Sequence, residues 1–479
     1  MAPPIRRIPA TCRGGARVTP CTAVLFFREH DDVYDDRLPS DDQRYYESVM
    51  WHRSTPRRFL RMAVSRVQTA ARVGHEQLRK IGDLLFRFAT DTRMLHASWC
   101  RMASRGGQSP GPNGHRYCDT SAERVWPLIR LMSDDLRRGK YRVGRSKPVS
   151  FWKDPNDRSR GVRTIHLLNI EDRVVQRAVA EVLQPIIECI VGPNVFGFRS
   201  ERNVADAFLA AERHSILGGR WVWVADDLKT AFDRVPRERL RDVVEKNIPC
   251  HALADLVMQL VSTCGKRGIP QGGPLSPLLL NLYLHHFLDR VWAERHPDVP
   301  LLRYADDLLL LCRTEPEAAG CWSDLSDILR PTGMLLKGKS AIEATTCLED
   351  RAAVRWLGAR ISREHDHLRF RIADSAFSRL RSRLERVHHF PNAPLRANAC
   401  VAHWLQALGP CYDGEKNRSR ILEKVERTLR ACGFDELPGR EVFRSAWRKG
   451  RETFAAQRSR QFDTTASIDL PPTASQNSK

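Results

Sequence analysis

The chain has no C-x-x-C pair and no His/Cys cluster at zinc spacing. Its 13 cysteines are scattered, which excludes a regular disulfide framework and a structural zinc module and predicts reduced thiols in the cytoplasm. It also lacks any run approaching the roughly 20 apolar residues that cross a bilayer. The short patch Ala23 to Phe27 is cut off by Arg28, Glu29 and Asp31, so no membrane partner is expected. Acidic residues are in deficit: 57 Asp and Glu stand against 78 Lys and Arg, a formal charge of +21. That balance makes a polyanion the expected partner, because each phosphate neutralised releases condensed counterion. A ribosomal protein, a repressor or a nuclease would share this property, so charge leaves the chemistry open. There is no internal repeat. What the chain has is length for two or three packed units and 42% hydrophobic residues, ample for a sizeable core.

Residues 1–57 lack sustained periodicity and read as a poorly ordered basic leader. The first 20 contain no acid, a composition that suits a transit peptide, a basic arm or an early start codon. Between Arg58 and Met94 the apolar positions Leu60, Val64, Val67, Ala71, Leu78, Ile81, Leu84 and Leu85 recur at helical spacing among Arg and Lys. Residues 58–149 are therefore expected to form a basic helical extension, interrupted by the Gly/Pro loop Gly106 to Gly114 and resuming as helix over Ser121 to Arg138. Beyond a turn at Asp154 to Asn156, Arg163 to Leu168 reads as a strand and Asp172 to Ile190 as a long helix. Leu253 to Val261 and Pro277 to Val291 are helical by pattern, as is the Arg-rich stretch from Ser375 to about Arg458. Residues 459–479 read as a disordered tail.

Three short apolar runs carry the chemistry. Trp221 to Ala225 is apolar and β-branched and delivers the chain into Asp226 and Asp227. Leu301 to Tyr304 and Leu308 to Cys312 flank Ala305, Asp306 and Asp307, which predicts a hairpin with acids at its tip. Carboxylates at the ends of apolar strands cost desolvation energy unless a cation sits among them. Mg²⁺, or Mn²⁺, answers this, since such ions take one or two carboxylates plus substrate phosphates, as in two-metal phosphoryl transfer.

Seven blocks in order, spread over about Leu95 to Cys411, resemble the reverse transcriptases of bacterial group II introns and their domesticated relatives. They are Arg160 to Ile186, Phe196 to Ala207 (FGFRSERNVADA), Asp227 to Asp233 (DLKTAFD), Pro270 to Asp289 (PQGGPLSPLLLNLYLHHFLD), Arg303 to Leu311 (RYADDLLLL), Gly333 to Ser340 (GMLLKGKS) and Trp356 to Gly358. The resemblance implies an α+β right-hand polymerase with fingers, a palm built on an antiparallel sheet and a helical thumb. It sets fingers and palm at 150–373 and a thumb or degenerate maturase-like segment at 374–458.

In that family Lys229 and Phe232 fix the register of the first acid motif, making Asp227 the metal ligand with Asp306 and Asp307 and leaving Asp226 a structural acid. Phe232 would bar a 2′-hydroxyl, although an aromatic there could also be plain core. Lys339 matches the lysine that neutralises pyrophosphate, and Lys153 and Arg163 match the residues that clamp the triphosphate. Gln271 and Gly272 would form a loop whose backbone approaches the nascent base pair. Tyr304 and Ala305 would lie against primer and template, and Arg199 would either hold template backbone or anchor its own loop. Arg379, Arg381, Arg383 and Arg386 would face the duplex phosphates.

The implied reaction is RNA-templated addition of deoxynucleotides to a DNA or RNA primer, with a cognate structured RNA as a further partner. A maturase-like RNA-binding protein assisting splicing and a domesticated enzyme of antiphage defence are the alternatives. Val401 to Tyr412 faintly resembles the opening of a maturase segment, no endonuclease pattern follows it, and no acidic constellation after Trp356 suggests RNase H.

Overall fold

A computed structural model describes residues 43–105, 109–152, 158, 161–200, 202–265, 267–348, 352–365, 367–388, 393–408, 411, 418–435 and 440–463. Most of the expected leader, Lys153, the turn at 154–156 and most of the expected tail lie outside these residues.

Among the described residues, nine strands form three antiparallel sheets. A hairpin pairs β1 (Lys147–Trp152) with β2 (Val162–Leu167). The central sheet has the order β4-β5-β3-β6, from β3 (Val222–Asp227), β4 (Leu301–Tyr304), β5 (Asp307–Cys312) and β6 (Thr345–Cys347). The third sheet joins β7 (Ala353–Trp356), β8 (Ala359–Glu364) and β9 (His367–Ile372). The fold is α+β.

Alternation along β3 and β5 explains why both read as unbroken apolar runs. Val222, Val224, Leu308, Leu310 and Cys312 belong to one core cluster with the helices Ile170–Ile190 and Ser276–Leu284, while Trp223, Leu309 and Leu311 belong to a second with Phe208, Trp356 and Phe370. Successive side chains of a strand point to opposite faces, so a sheet covered on both sides needs apolar residues at every position. The second cluster extends through Trp404, Phe443 and Trp447 into the helices Asp374–Val387, Ala393–Ala407, Arg418–Ala431 and Arg440–Asp463.

Several expectations shift. The stretch from Arg58 to Met94 divides into four helices, Gln43–Val73, His75–Lys80, Gly82–Thr90 and the start of Thr92–Arg105, with Gly74 at φ 133° forcing the first break. The helix expected over Pro277 to Val291 contains a π-helical turn, His285–Asp289, before resuming as Arg290–Arg295. Strand β3 runs two residues beyond Ala225, and β5 starts at Asp307, so Asp307 belongs to the strand and not to the hairpin tip. Direct pairing of Asp227 with Asp307 extends the ladder that far. The sheet β7 to β9 and the helices Val204–Gly218 and Glu315–Leu329 had no separate sequence reading.

Candidate active site

The two acidic clusters meet at one end of the central sheet. Asp227 and Asp307 are register partners across β3 and β5, and the backbone N–H of Leu228 donates to the Asp306 carbonyl at 2.9 Å. The segment after Gly333 closes the third side: Lys229 N–H donates to the Leu335 carbonyl and Lys337 N–H to the Asp227 carbonyl, each at 2.8 Å.

These carboxylates crowd one another. Burial, followed by a hydrogen bond to Asp227 and the charges of Asp227 and Asp306, pushes the Asp307 carboxyl up to about 9. Burial also raises Asp306 above the usual carboxylate range, with Asp227 adding to the effect and Arg163 and Lys337 opposing it. Acids whose carboxyls are raised first by burial and then by one another's charge are a set that a divalent cation would relieve. Their donors are all oxygen, which suits a hard cation. As the side chains stand, no three His, Cys, Asp or Glu donors among the described residues already form a cage. Lys337 Nζ sits on Asp227 Oδ2 at 2.8 Å, so Asp227 would have to exchange that ammonium for a metal.

Asp226 points the other way. It accepts from Trp322 Nε1 at 3.0 Å and from the backbone N–H groups of Gly338 and Asp227 at 2.8 Å each. A Cβ at Gly338 would lie 2.5 Å from its carboxylate, so Asp226 pins the Lys337 segment to β3. Lys339 is exposed, and its N–H reaches Glu343 at 3.4 Å. The lysine beside Asp227 is thus Lys337, which motif matching passed over: GMLLKGKS holds two lysines, and only the loop's path decides which one turns inward.

Arg163 lies on β2 and Gln271 on the facing loop. Gln271 accepts His166 N–H on its carbonyl at 2.8 Å. With its amide turned to satisfy both neighbours, it donates to the Thr164 carbonyl at 3.0 Å and accepts from Arg163 Nε at 3.3 Å. The glycine next to it has a reason inside the chain: Gly272 has φ 109°, and a Cβ there would lie 2.6 Å from Ile165.

Phe232 is buried in the first core cluster with its ring edge-on to Phe198, centroids 6.3 Å apart, and Phe198 is half-exposed. Burial, and then Asp307, raise the Tyr304 hydroxyl. Ala305 is buried with φ 61°. Arg199 is engaged within its own loop: Nε donates to Glu188 Oε2 at 2.7 Å, and the remaining nitrogens donate to the carbonyls of Gly192, Val195 and Glu188. Of its two expected roles, this geometry supports the loop anchor.

Residues 153–361 match the family model described as reverse transcriptase (RNA-dependent DNA polymerase). The chain carries a reverse transcriptase domain. The chain is 28% identical over 226 residues to protein YkfC of Escherichia coli K12, a stretch covering 44% of this chain and 58% of that protein. It is 24% identical over 220 residues to the group II intron-encoded protein LtrA of Lactococcus lactis, covering 44% of this chain and 35% of that one. The second of these relatives is of the group II intron type, and the match spans little more than half of the first relative and about a third of the second. Among solved structures, the Sicinivirus 3Dpol RNA-dependent RNA polymerase aligns with TM-score 0.40 at 16% identity, covering 71% of this chain and 73% of that one. A partial Cas6-RT-Cas1–Cas2 complex aligns with TM-score 0.32 at 19% identity, covering 52% and 41%. The α+β architecture with antiparallel sheets is that of a right-hand polymerase, and a reverse transcriptase domain implies dependence on a divalent cation. No helix among the described residues is long and apolar enough to cross a membrane.

Proposed function

We propose that the protein is an RNA-directed DNA polymerase that adds deoxynucleotides to a primer 3′ end with two Mg²⁺, or Mn²⁺, held by Asp227, Asp306 and Asp307. The observation that carries this reading is the direct pairing of Asp227 with Asp307, with Asp306 beside them. Asp227, Asp306 and Asp307 would hold these ions, which would supply a lowered pKa for the attacking hydroxyl and positive charge for the leaving pyrophosphate.

The chain's own residues supply position and charge. Arg163, whose field already reaches Asp306, would take the triphosphate with Lys153, its planar guanidinium suiting bidentate phosphate contact. Gln271 holds Arg163 from the side and fixes the loop against which the new base pair forms. Phe232 would close the space under the sugar. Lys337 would give up Asp227 to a metal and, with Lys339, would balance pyrophosphate charge. RNA template, DNA or RNA primer and deoxynucleoside triphosphates are the partners, with a structured RNA as a further one. The domain boundaries at 57, 149, 373 and 458 and a cytoplasmic location belong to the same proposal.

Asp306→Asn tests it. The expected outcome is loss of incorporation on primed poly(rA), a drop of at least a thousandfold on the scale of losing a preorganised charge, with template binding within about twofold because phosphate contacts elsewhere dominate affinity. Full activity in that variant refutes the assignment. Template binding by the wild type with no incorporation at all would leave the maturase-like RNA-binding reading in its place.

A further inference from the structure

The strand leading into the acidic hairpin carries a buried charge that the reaction as described does not use. Arg303 has no exposed surface. A guanidinium out of water costs several kcal/mol unless its donors are met, and here they are. Nε and one terminal nitrogen fork onto Asp289 at 2.8 and 2.6 Å, and the other terminal nitrogen donates to Asn281 Oδ1 at 2.8 Å and to the Ala305 carbonyl at 3.1 Å.

Both partners come from one helical run, and the π turn explains how. Residues 281 and 289 are eight apart, which at 3.6 residues per turn leaves their side chains about 80° out of line. The wider turn His285–Asp289 takes up that angle and lets both face Arg303. π turns of this kind recur at functional sites.

The far side of the hairpin tip is held as well. Asn281 Nδ2 donates to the Gly197 carbonyl at 2.7 Å, and a Cβ at Gly197 would lie 2.3 Å from Ala305 N. Arg303 N–H donates to the Asn194 carbonyl at 2.9 Å and its own carbonyl accepts from Phe196 N–H at 2.8 Å. Between these grips sits Ala305, a buried residue with a side chain, at φ 61°. Such a backbone costs about 1–3 kcal/mol and persists only where the surroundings over-determine it.

We propose that Arg303 is a positioning residue: with Asp289 and Asn281 it clamps the Ala305 carbonyl in the left-handed turn and thereby aims the Asp306 carboxylate beside Asp227. The inference rests on the polymerase reading, in which Asp306 is a metal ligand. Without the clamp the tip relaxes and Asp306 turns from its partners while the apolar sheet beneath stays in place.

The test uses the full chain with Arg303→Lys, which keeps the charge but loses the fork, and Asp289→Asn, which keeps the shape but loses the charge. Mn²⁺ binding to nucleotide-free protein is followed by the resonance of free Mn²⁺, alongside kcat and KM on primed poly(rA) and thermal melting. Each variant that melts cooperatively is expected to bind Mn²⁺ at least tenfold more weakly and to lose at least tenfold in kcat. KM for primer–template should stay within twofold, and part of kcat should return at high Mn²⁺. A purely structural role would lower the melting midpoint and leave Mn²⁺ affinity of the folded protein untouched.

Wild-type Mn²⁺ affinity and kcat in a folded variant overturn the proposal. So does failure of both variants to fold, which would make Arg303 a determinant of folding alone, and so does a wild type that binds no Mn²⁺. A wild type that binds Mn²⁺ but incorporates nothing would sink the polymerase reading, and the Mn²⁺ comparison would still decide the clamp.

Discussion

Phe232 stands where two demands meet. Its ring fills part of the core and presents an edge to the half-exposed Phe198, so one side chain supports the short helix Ala231–Arg234 and, on the proposed reading, rejects a 2′-hydroxyl. The two roles separate in experiment. Phe232→Ala should cost about 3 kcal/mol of stability as a buried aromatic truncation, and among molecules that remain folded the preference for deoxynucleotides over ribonucleotides should fall by about a hundredfold. Unchanged sugar discrimination, read from single-nucleotide incorporation beside a thermal melt, would leave Phe232 as core only. Gly272 teaches a related lesson. Beside the base-pair approach that the motif implies, the double glycine has a reason within the chain: a Cβ at Gly272 would lie 2.6 Å from Ile165, and one at Gly273 would lie 2.4 Å from the Gln176 side chain. Lys337 was not legible, because two lysines two residues apart in a loop look alike until Asp226 fixes the path between them.

The last helix, Arg440–Asp463, is tied to Val204–Gly218 by Arg458, which donates to Glu212 at 2.7 Å, and Glu212 has no exposed surface. One Glu212 oxygen takes Arg458 and Leu368 N–H, while the other is without a partner among the described residues. Burial raises this carboxyl above its usual range, with Arg458 opposing. A carboxyl raised by folding holds its proton more tightly in the native state, so its contribution is greatest in acid and is lost as pH rises through the raised value. Thermal midpoints of the wild type should therefore decline on that rise more than those of Glu212→Gln. Arg458→Met, which strands the buried carboxylate, should cost about 2 kcal/mol at neutral pH, the low end for such a loss because Arg458 itself is 42% exposed. Equal pH profiles for wild type and Glu212→Gln would remove Glu212 from the account. Among elements, β3, the β4–β5 hairpin and the Ile170–Ile190 helix were legible because their apolar runs are dense. Strands β7 to β9 were not: Arg355, Arg360, Arg363, Arg369 and Arg371 are interspersed through them, and short strands held by packing of Trp356 and Phe370 on Phe208 leave a weak local signal.

At the scale of the whole molecule, the charge of +21 makes affinity for nucleic acid a question of salt. If about six phosphates are neutralised, binding to a primed RNA duplex should weaken about a thousandfold between about 50 and 200 mM monovalent salt, while kcat at saturating template changes little. A shallow salt response in a filter-binding titration would mean that the basic surface faces something other than the template. The sequence by itself carried the reverse transcriptase resemblance, the two acidic clusters and the apolar strands beneath them, since motif chemistry and burial on both faces of a sheet are written locally. Only the tertiary structure decided which lysine meets Asp227, that Arg199 closes its own loop, and that a π turn brings Asp289 and Asn281 onto Arg303. Those arrangements depend on side-chain direction across segments far apart in the chain, and a few degrees of helical phase or one residue of strand register, invisible in composition or spacing, sets each of them.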